Sequence, residues 1–175
     1  DEAKNDRLRG VSRMASLEIV LEEYHGPALS DEDKVRLAEK KNDLYRASLQ
    51  FMTPADLPGE VRDTLNALRA RGLKLAIGSS SKNAPLILER IGLDGYFDAV
   101  SDGNNITHSK PDPEVFTMAA HMLNLPPEQC LVVEDALAGV QAAAAGGFHS
   151  AGIGPAAKSG LATYPLSTFS DLLKL

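Results

Sequence analysis

A chain of 175 residues, 43% of them hydrophobic, is long enough for one domain of ordinary size, or for a core with a small module attached. A net charge of −6 argues against a general nucleic-acid surface, and with no apolar run of membrane length and no basic-apolar leader, the expectation is a soluble cytoplasmic protein with no membrane partner. One cysteine, Cys130, excludes an internal disulfide, and its place beside an apolar strand suggests a small buried hydrophobe rather than a nucleophile.

Residues 1–52 read as helical. After a polar start over 1–9, Leu8, Val11, Met14, Leu17 and Leu21 fill a helical segment that stops near Gly26-Pro27. Ser30, with Asp33 three residues on, resembles a capping box for a second helix to Leu49, in which Val35, Ala38, Leu44 and Tyr45 fall at mostly helical spacings. Arg13 stands in a first turn, beside Ser12 and after Gly10-Val11, where the positive end of the helix disfavours a cation; a nearby anion would remove the conflict, and a plain surface charge is the alternative. Lys41 lies four residues after Leu37 and three before Leu44, on the apolar face, either reaching toward a ligand or snorkelling out of it.

Residues 53–59, Thr-Pro-Ala-Asp-Leu-Pro-Gly, read as a linker or hinge. Helices and strands then alternate: a helix over 60–71, a strand over 73–77, a polar turn over 78–83 opening a helix to Ile91, and a strand over 96–100. A helix over 113–123, a strand at 131–133, an Ala-rich helix and a short strand near 150–153 complete the series. This alternation implies an α/β fold with a parallel, Rossmann-like sheet and helices on both faces.

Three places along that sheet carry chemistry. Leu131-Val132-Val133 reads as a strand buried on both faces, and Glu134 and Asp135 follow at its carboxyl end. Paired carboxylates there make a hard-cation site of oxygen ligands, or else cap the helix that runs to Gly146-Gly147. In the 78–83 turn, Ser79, Ser80, Ser81 and Asn83 offer hydroxyl, amide and backbone donors to a phosphate and Lys82 adds charge; an ordinary polar turn is the alternative. Lys110, in Ser109-Lys110-Pro111-Asp112-Pro113, is held near the sheet end by a loop that two prolines stiffen.

Taken in order, the serine after a strand, the Lys-Pro-Asp-Pro run and Val-Glu-Asp-Ala-x-x-Gly resemble the second, third and fourth motifs of the haloacid dehalogenase superfamily of phosphotransferases. Gly10-Val11-Ser12-Arg13, the 38–45 stretch, Ser79 to Ala84, Gly95 to Ala99 and Ser109-Lys110-Pro111 further resemble the β-phosphoglucomutase family within it. The resemblance implies a partial helical cap domain over 1–52 and an α/β core over 53–175. It also implies a Mg²⁺-dependent enzyme, an isomerase, that interconverts β-glucose 1-phosphate and glucose 6-phosphate through a bisphosphate. Ser79 and Lys110 would be catalytic, and Glu134 and Asp135 would hold Mg²⁺. Gly10, Val11, Arg13, Lys41, Ser81, Lys82 and Asn83 would bind the substrate. A monomer whose partner is a small phosphorylated sugar, with no nucleic acid, is expected. A sugar-phosphate phosphatase and an inactive phosphate-binding fragment are the alternatives.

One family motif has no counterpart. An apolar strand ending in Asp-x-Asp-Gly supplies the family's nucleophile, and nothing here matches it, Asp1-Glu2-Ala3 included. The expectation is therefore that the first strand, central in the family's sheet, is missing, that these residues alone turn nothing over, and that a gap of about 10 Å, two strand spacings, opens in the middle of the core between the strands at Leu73 and Leu131, leaving unpaired edges on both. The 56–60 stretch is irregular against the family's linker, and 154–165 looks too short for its last strand.

Overall fold

The computed structural model describes residues 7, 8 and 10–175; Asp1-Glu2-Ala3 lies outside the described residues. Ser12 caps α1 (Arg13–Leu21), its hydroxyl accepting from the Ala15 N–H at 3.2 Å, and Arg13 opens a first turn that holds no acid. Ser30 and Asp33 form the reciprocal capping box that starts α2 (Asp31–Leu49). The two helices pack on each other, but α2 buries only Ala38 and Leu49. Leu37, Leu44, Tyr45 and Lys41 are all exposed, so the helical period is as read while the stripe facing the protein is narrower.

A 3₁₀ turn (Pro54–Asp56) leads to α3 (Gly59–Ala70), β1 (Ala76–Gly78), α4 (Ala84–Arg90) and β2 (Ala99–Ser101). Then come α5 (Glu114–Leu123), β3 (Leu131–Glu134), α6 (Leu137–Ala145), β4 (His149–Gly152), β5 (Tyr164–Pro165) and a 3₁₀ turn (Phe169–Lys174). All strand pairs are parallel. The first strand starts at Ala76 rather than Leu73 because the Asp98 carboxylate, not a neighbouring strand, accepts the Leu75 N–H, at 2.7 Å. A short strand does form in the tail, β5 beside β4, where the sequence looked too short for one.

Among the described residues the strands make two sheets, β1-β2 and β3-β4-β5. Val115, Phe116, Ala120, Val132, Ala142, Ala143 and Phe148 form the larger buried cluster, and Cys130 packs against it. Burial, and after it the Glu128 charge, push the Cys130 thiol above its ordinary value, which suits a packing role. A cavity of about 780 Å³ lies between the sheets, walled by side chains from α3, α5, the C-terminal 3₁₀ turn and both β1 and β3. It corrects one expectation: Val132 is buried, but Leu131 and Val133 remain 40% and 38% exposed because all three border this hollow rather than a packed neighbour.

Carboxylates hold several joints of this fold. The Glu60 carboxyl lies below its ordinary value, mainly because it accepts the Ser170 N–H, and Asp98 is lowered first by the Leu75 N–H and then by Arg69. Asp171 is lowered by Lys174 and by the Thr168 N–H. Depressed folded values mean that the unfolded chain binds more protons as pH falls, so the stability these groups add is complete above pH about 4.5 and lost below it. Urea midpoints at pH 7, 4 and 3, read by circular dichroism, should fall steeply below pH 4. In Asp98→Asn they should fall less steeply.

Candidate active site

Lys110 sits at the centre of the sheet ends. Its side chain is 6% exposed, its ammonium donates to the Gly78 carbonyl at 3.1 Å and to Glu134 Oε1, and it lies 4.6 Å from the Phe116 ring centroid. Gly78 ends β1 and Glu134 ends β3, so a single cation touches the carboxyl ends of both half-sheets. Glu134, 8% exposed, uses its other oxygen to accept the N–H groups of Asp135 and Ala136 at 3.1 and 3.2 Å. A buried ion pair of this kind is tolerable only with such added hydrogen bonds.

Small residues make room for the pair. A Cβ on Gly139 would overlap the Glu134 carboxyl group, and one on Gly78 would fall 2.7 Å from the Phe116 ring. The Lys110 loop is braced from below: Glu114 accepts the Thr107 and His108 N–H groups at 2.8 and 2.6 Å, and Asp112 accepts the Glu114 N–H at 2.9 Å. Those bonds hold the Glu114 carboxyl below its ordinary value. His108, Asp112 and Glu114 approach closely enough to suggest a cation site, but the acids' hydrogen bonds show a loop brace.

Opposite Lys110 stands the segment that opens α1. Gly10, at φ +74°, is where a Cβ would come within 3.6 Å of Lys110 Cδ and 3.5 Å of Ala136, so the chain there crosses the mouth of the sheet. Val11 and Arg13 follow it, half-buried. Beyond β1 a chain of local bonds shapes the turn: Ser79 Oγ accepts the Ser81 N–H at 3.2 Å and Ser81 Oγ the Asn83 N–H at 3.1 Å, with Lys82 exposed. Asn83, 5% exposed, donates to Asn42 at 2.9 Å and accepts from Arg46 at 3.1 Å. Both partners belong to α2.

Gly10, Lys110 and Glu134 thus meet at one mouth, with Ser79 and Asp135 next in sequence to its contacts; Ser81 and Asn83 join through the turn. Lys41 does not join them, lying exposed on α2. Sequence reading missed Arg46, Phe116 and the loop after β2, and it took Asn42 and Gly139 only as members of the 38–45 stretch and the Val-Glu-Asp-Ala-x-x-Gly motif, without these contacts. In the loop after β2 Asp102, buried, accepts the Asn104 N–H at 2.7 Å, and Gly103 passes so close to the Ser80 carbonyl that its Cβ would lie 2.6 Å away. The Asp-Gly-Asn-Asn run directly after an apolar strand is the signal that could have found it.

The donor set at β3 suits a hard cation. Glu134 is committed on both oxygens to Lys110 and to backbone N–H groups, while Asp135 is exposed at the strand's end. Mg²⁺ takes one or two carboxylates and keeps several waters, which Asp135 backed by Glu134 can accommodate.

Comparison with known proteins gives a consistent picture. The sequence profile of haloacid dehalogenase-like hydrolases matches residues 4–147. Over 157 residues, 88% of this chain and 69% of the relative, the sequence is 36% identical to a beta-phosphoglucomutase of Bacillus subtilis (strain 168). It is 31% identical to a phosphorylated carbohydrates phosphatase of Thermotoga maritima, over 82% of this chain and 64% of that protein. In three dimensions it is similar to a beta-phosphoglucomutase of Clostridium difficile, with a TM-score of 0.90 and 33% identity, over 98% of this chain and 78% of the other.

Proposed function

The chain belongs to the haloacid dehalogenase-like hydrolases, and from that premise we propose that it is a Mg²⁺-dependent sugar-phosphate mutase interconverting β-glucose 1-phosphate and glucose 6-phosphate through a bisphosphate. The observation that carries this reading is the approach of Gly10 to Lys110, which sets the cationic start of α1 across the mouth from the sheet-end cation. A bisphosphate needs two grips at once, one for each phosphate. In this reading residues 1–52 act as a helical cap over the 53–175 core.

Ser79 hydrogen-bonds the transferring phosphoryl group and Lys110 offsets the charge gathering on it, as phosphoryl transfer depends mostly on positioning and charge stabilisation. Ser81, Lys82 and Asn83 bind phosphate or sugar at the end of β1, and Gly10, Val11 and Arg13 hold the distal phosphate. Lys41 reaches the cleft only if α2 tilts. Asp135, with Glu134 behind it, holds Mg²⁺, which when bound neutralises charge on the phosphoryl oxygens. The attacking carboxylate lies on none of the strands among the described residues, so the reading takes it from elsewhere, and these 175 residues alone are expected to bind without turnover.

Phosphorus NMR of β-glucose 1-phosphate with Mg²⁺ and the product of the whole coding sequence tests it. Glucose 6-phosphate is the expected product. Inorganic phosphate without glucose 6-phosphate would replace the mutase by a sugar-phosphate phosphatase, an activity carried in the name of the Thermotoga maritima relative.

A further inference from the structure

We propose that Asn104 and Asp102, in the loop after β2, are positioning residues for phosphate binding: they hold the 79–83 turn in the peptide orientation that offers the Lys82 N–H to an anion. The inference rests on the reading above that this turn binds phosphate. It adds to that reading two residues that act without touching the substrate.

The peptide planes of the turn can be followed one by one. The peptide between Gly78 and Ser79 gives its N–H to the Ser101 carbonyl at 2.9 Å, beside β2, and its carbonyl to Lys110. Further along the turn the sense is reversed, and the Ser81 carbonyl accepts the Gly103 N–H at 3.3 Å. In a planar trans peptide the N–H lies opposite the carbonyl, so the Lys82 N–H points away from the loop after β2. It meets no hydrogen-bond acceptor among the described residues, whereas the amides on either side are bonded, Ser81 N–H to Ser79 Oγ and Asn83 N–H to Ser81 Oγ. A free backbone donor in such a turn is what a phosphate oxygen accepts from.

What keeps that orientation lies 22 residues further along the chain. The Asn104 side-chain amide donates to the Lys82 carbonyl at 3.1 Å and to Asp102 Oδ1 at 2.9 Å, and the same oxygen of the buried Asp102 accepts the Asn104 N–H at 2.7 Å. Asp102 thus fixes Asn104, and Asn104 holds the turn. Between them Gly103 lies backbone to backbone with the turn: a Cβ there would stand 2.6 Å from the Ser80 carbonyl oxygen and 2.9 Å from the Lys82 nitrogen. A loop that only had to end β2 would need neither this approach nor an amide bonded to another loop. Asn105 serves that end instead, through its bonds to Ser101, Asp102 and Val100. The two neighbouring asparagines therefore have separable tasks.

The test titrates inorganic phosphate into the isotope-labelled product of the whole coding sequence with Mg²⁺, following the Lys82 amide by NMR. It is run on the parent protein, Asn104→Ala and Asn105→Ala, with a urea midpoint for each. The parent Lys82 resonance should move saturably. Asn104 is exposed, so Asn104→Ala should keep a urea midpoint close to the parent's while binding phosphate about tenfold more weakly, the effect of one misplaced hydrogen-bond donor. Asn105→Ala should do the reverse, with a lower midpoint and a phosphate affinity within about twofold of the parent's. Equal affinity in the parent and Asn104→Ala would overturn the inference and leave the turn as the phosphate site, and so would affinities that follow the midpoints across both variants. No movement of Lys82 in the parent would overturn the phosphate reading of the turn, and the inference with it.

Discussion

Lys110→Met is expected to lower the stability of the chain by about 3–5 kcal/mol, because it leaves the Glu134 carboxylate buried without its cation. Against a usual total of about 5–15 kcal/mol, that is a large share. The Phe116 ring beneath and the Gly78 carbonyl beside lose their partner too, so no neighbouring group takes over. The double variant Lys110→Met/Glu134→Gln should recover more than half of the loss, since a glutamine carbonyl still accepts from the Asp135 and Ala136 N–H groups and carries no charge. Urea denaturation of the single and double variants separates the two cases. Binding of β-glucose 1-phosphate, read by calorimetry, should be lost in both, because the cation is absent in both.

Gly139→Ala reverses the sign that helix propensity gives. An interior glycine replaced by alanine ordinarily gains about 1 kcal/mol in a helix. Here the new methyl group would occupy the space of the Glu134 carboxyl group, and α6 cannot retreat because only Asp135 and Ala136 separate it from β3. The carboxylate must swing aside and give up Lys110 and two N–H donors. Overpacking costs about 1–3 kcal/mol and a charged hydrogen bond about 1.5–3, so a net loss of at least about 2 kcal/mol is expected. Gly59→Ala is the control: Gly59 is the first residue of α3, a Cβ there meets nothing within 4 Å, and the urea midpoint should hold or rise.

Much of the site is readable along the chain because its residues sit where one-dimensional signals are strong. Ser12 and Ser30 are legible as caps since capping is a contact three residues long, and Glu134-Asp135 is legible because a polar pair interrupts an apolar strand at its end. Lys110 is legible as a fixed loop cation, but not its burial against Glu134, which depends on two half-sheets meeting. Gly139 is marked only as the glycine that closes the Val-Glu-Asp-Ala-x-x-Gly motif, which does not reveal that it leaves space for the Glu134 carboxyl group, and Phe116, which lies under the Lys110 cation, carries no local mark. Periodicity alone also overstates α2, whose apolar positions outnumber those that find a neighbour.

Asn83 has a consequence for motion. Its amide is held from both ends by Asn42 and Arg46, so lifting α2 away from the β1 turn breaks two side-chain bonds that sit about three and about four turns from α2's capped start. At about 1 kcal/mol net for each, the two bonds add about 2 kcal/mol to the hold on α2, a restraint that an arriving anion able to compete for the guanidinium would weaken. The same amide would then act as a catch whose release is governed by what enters.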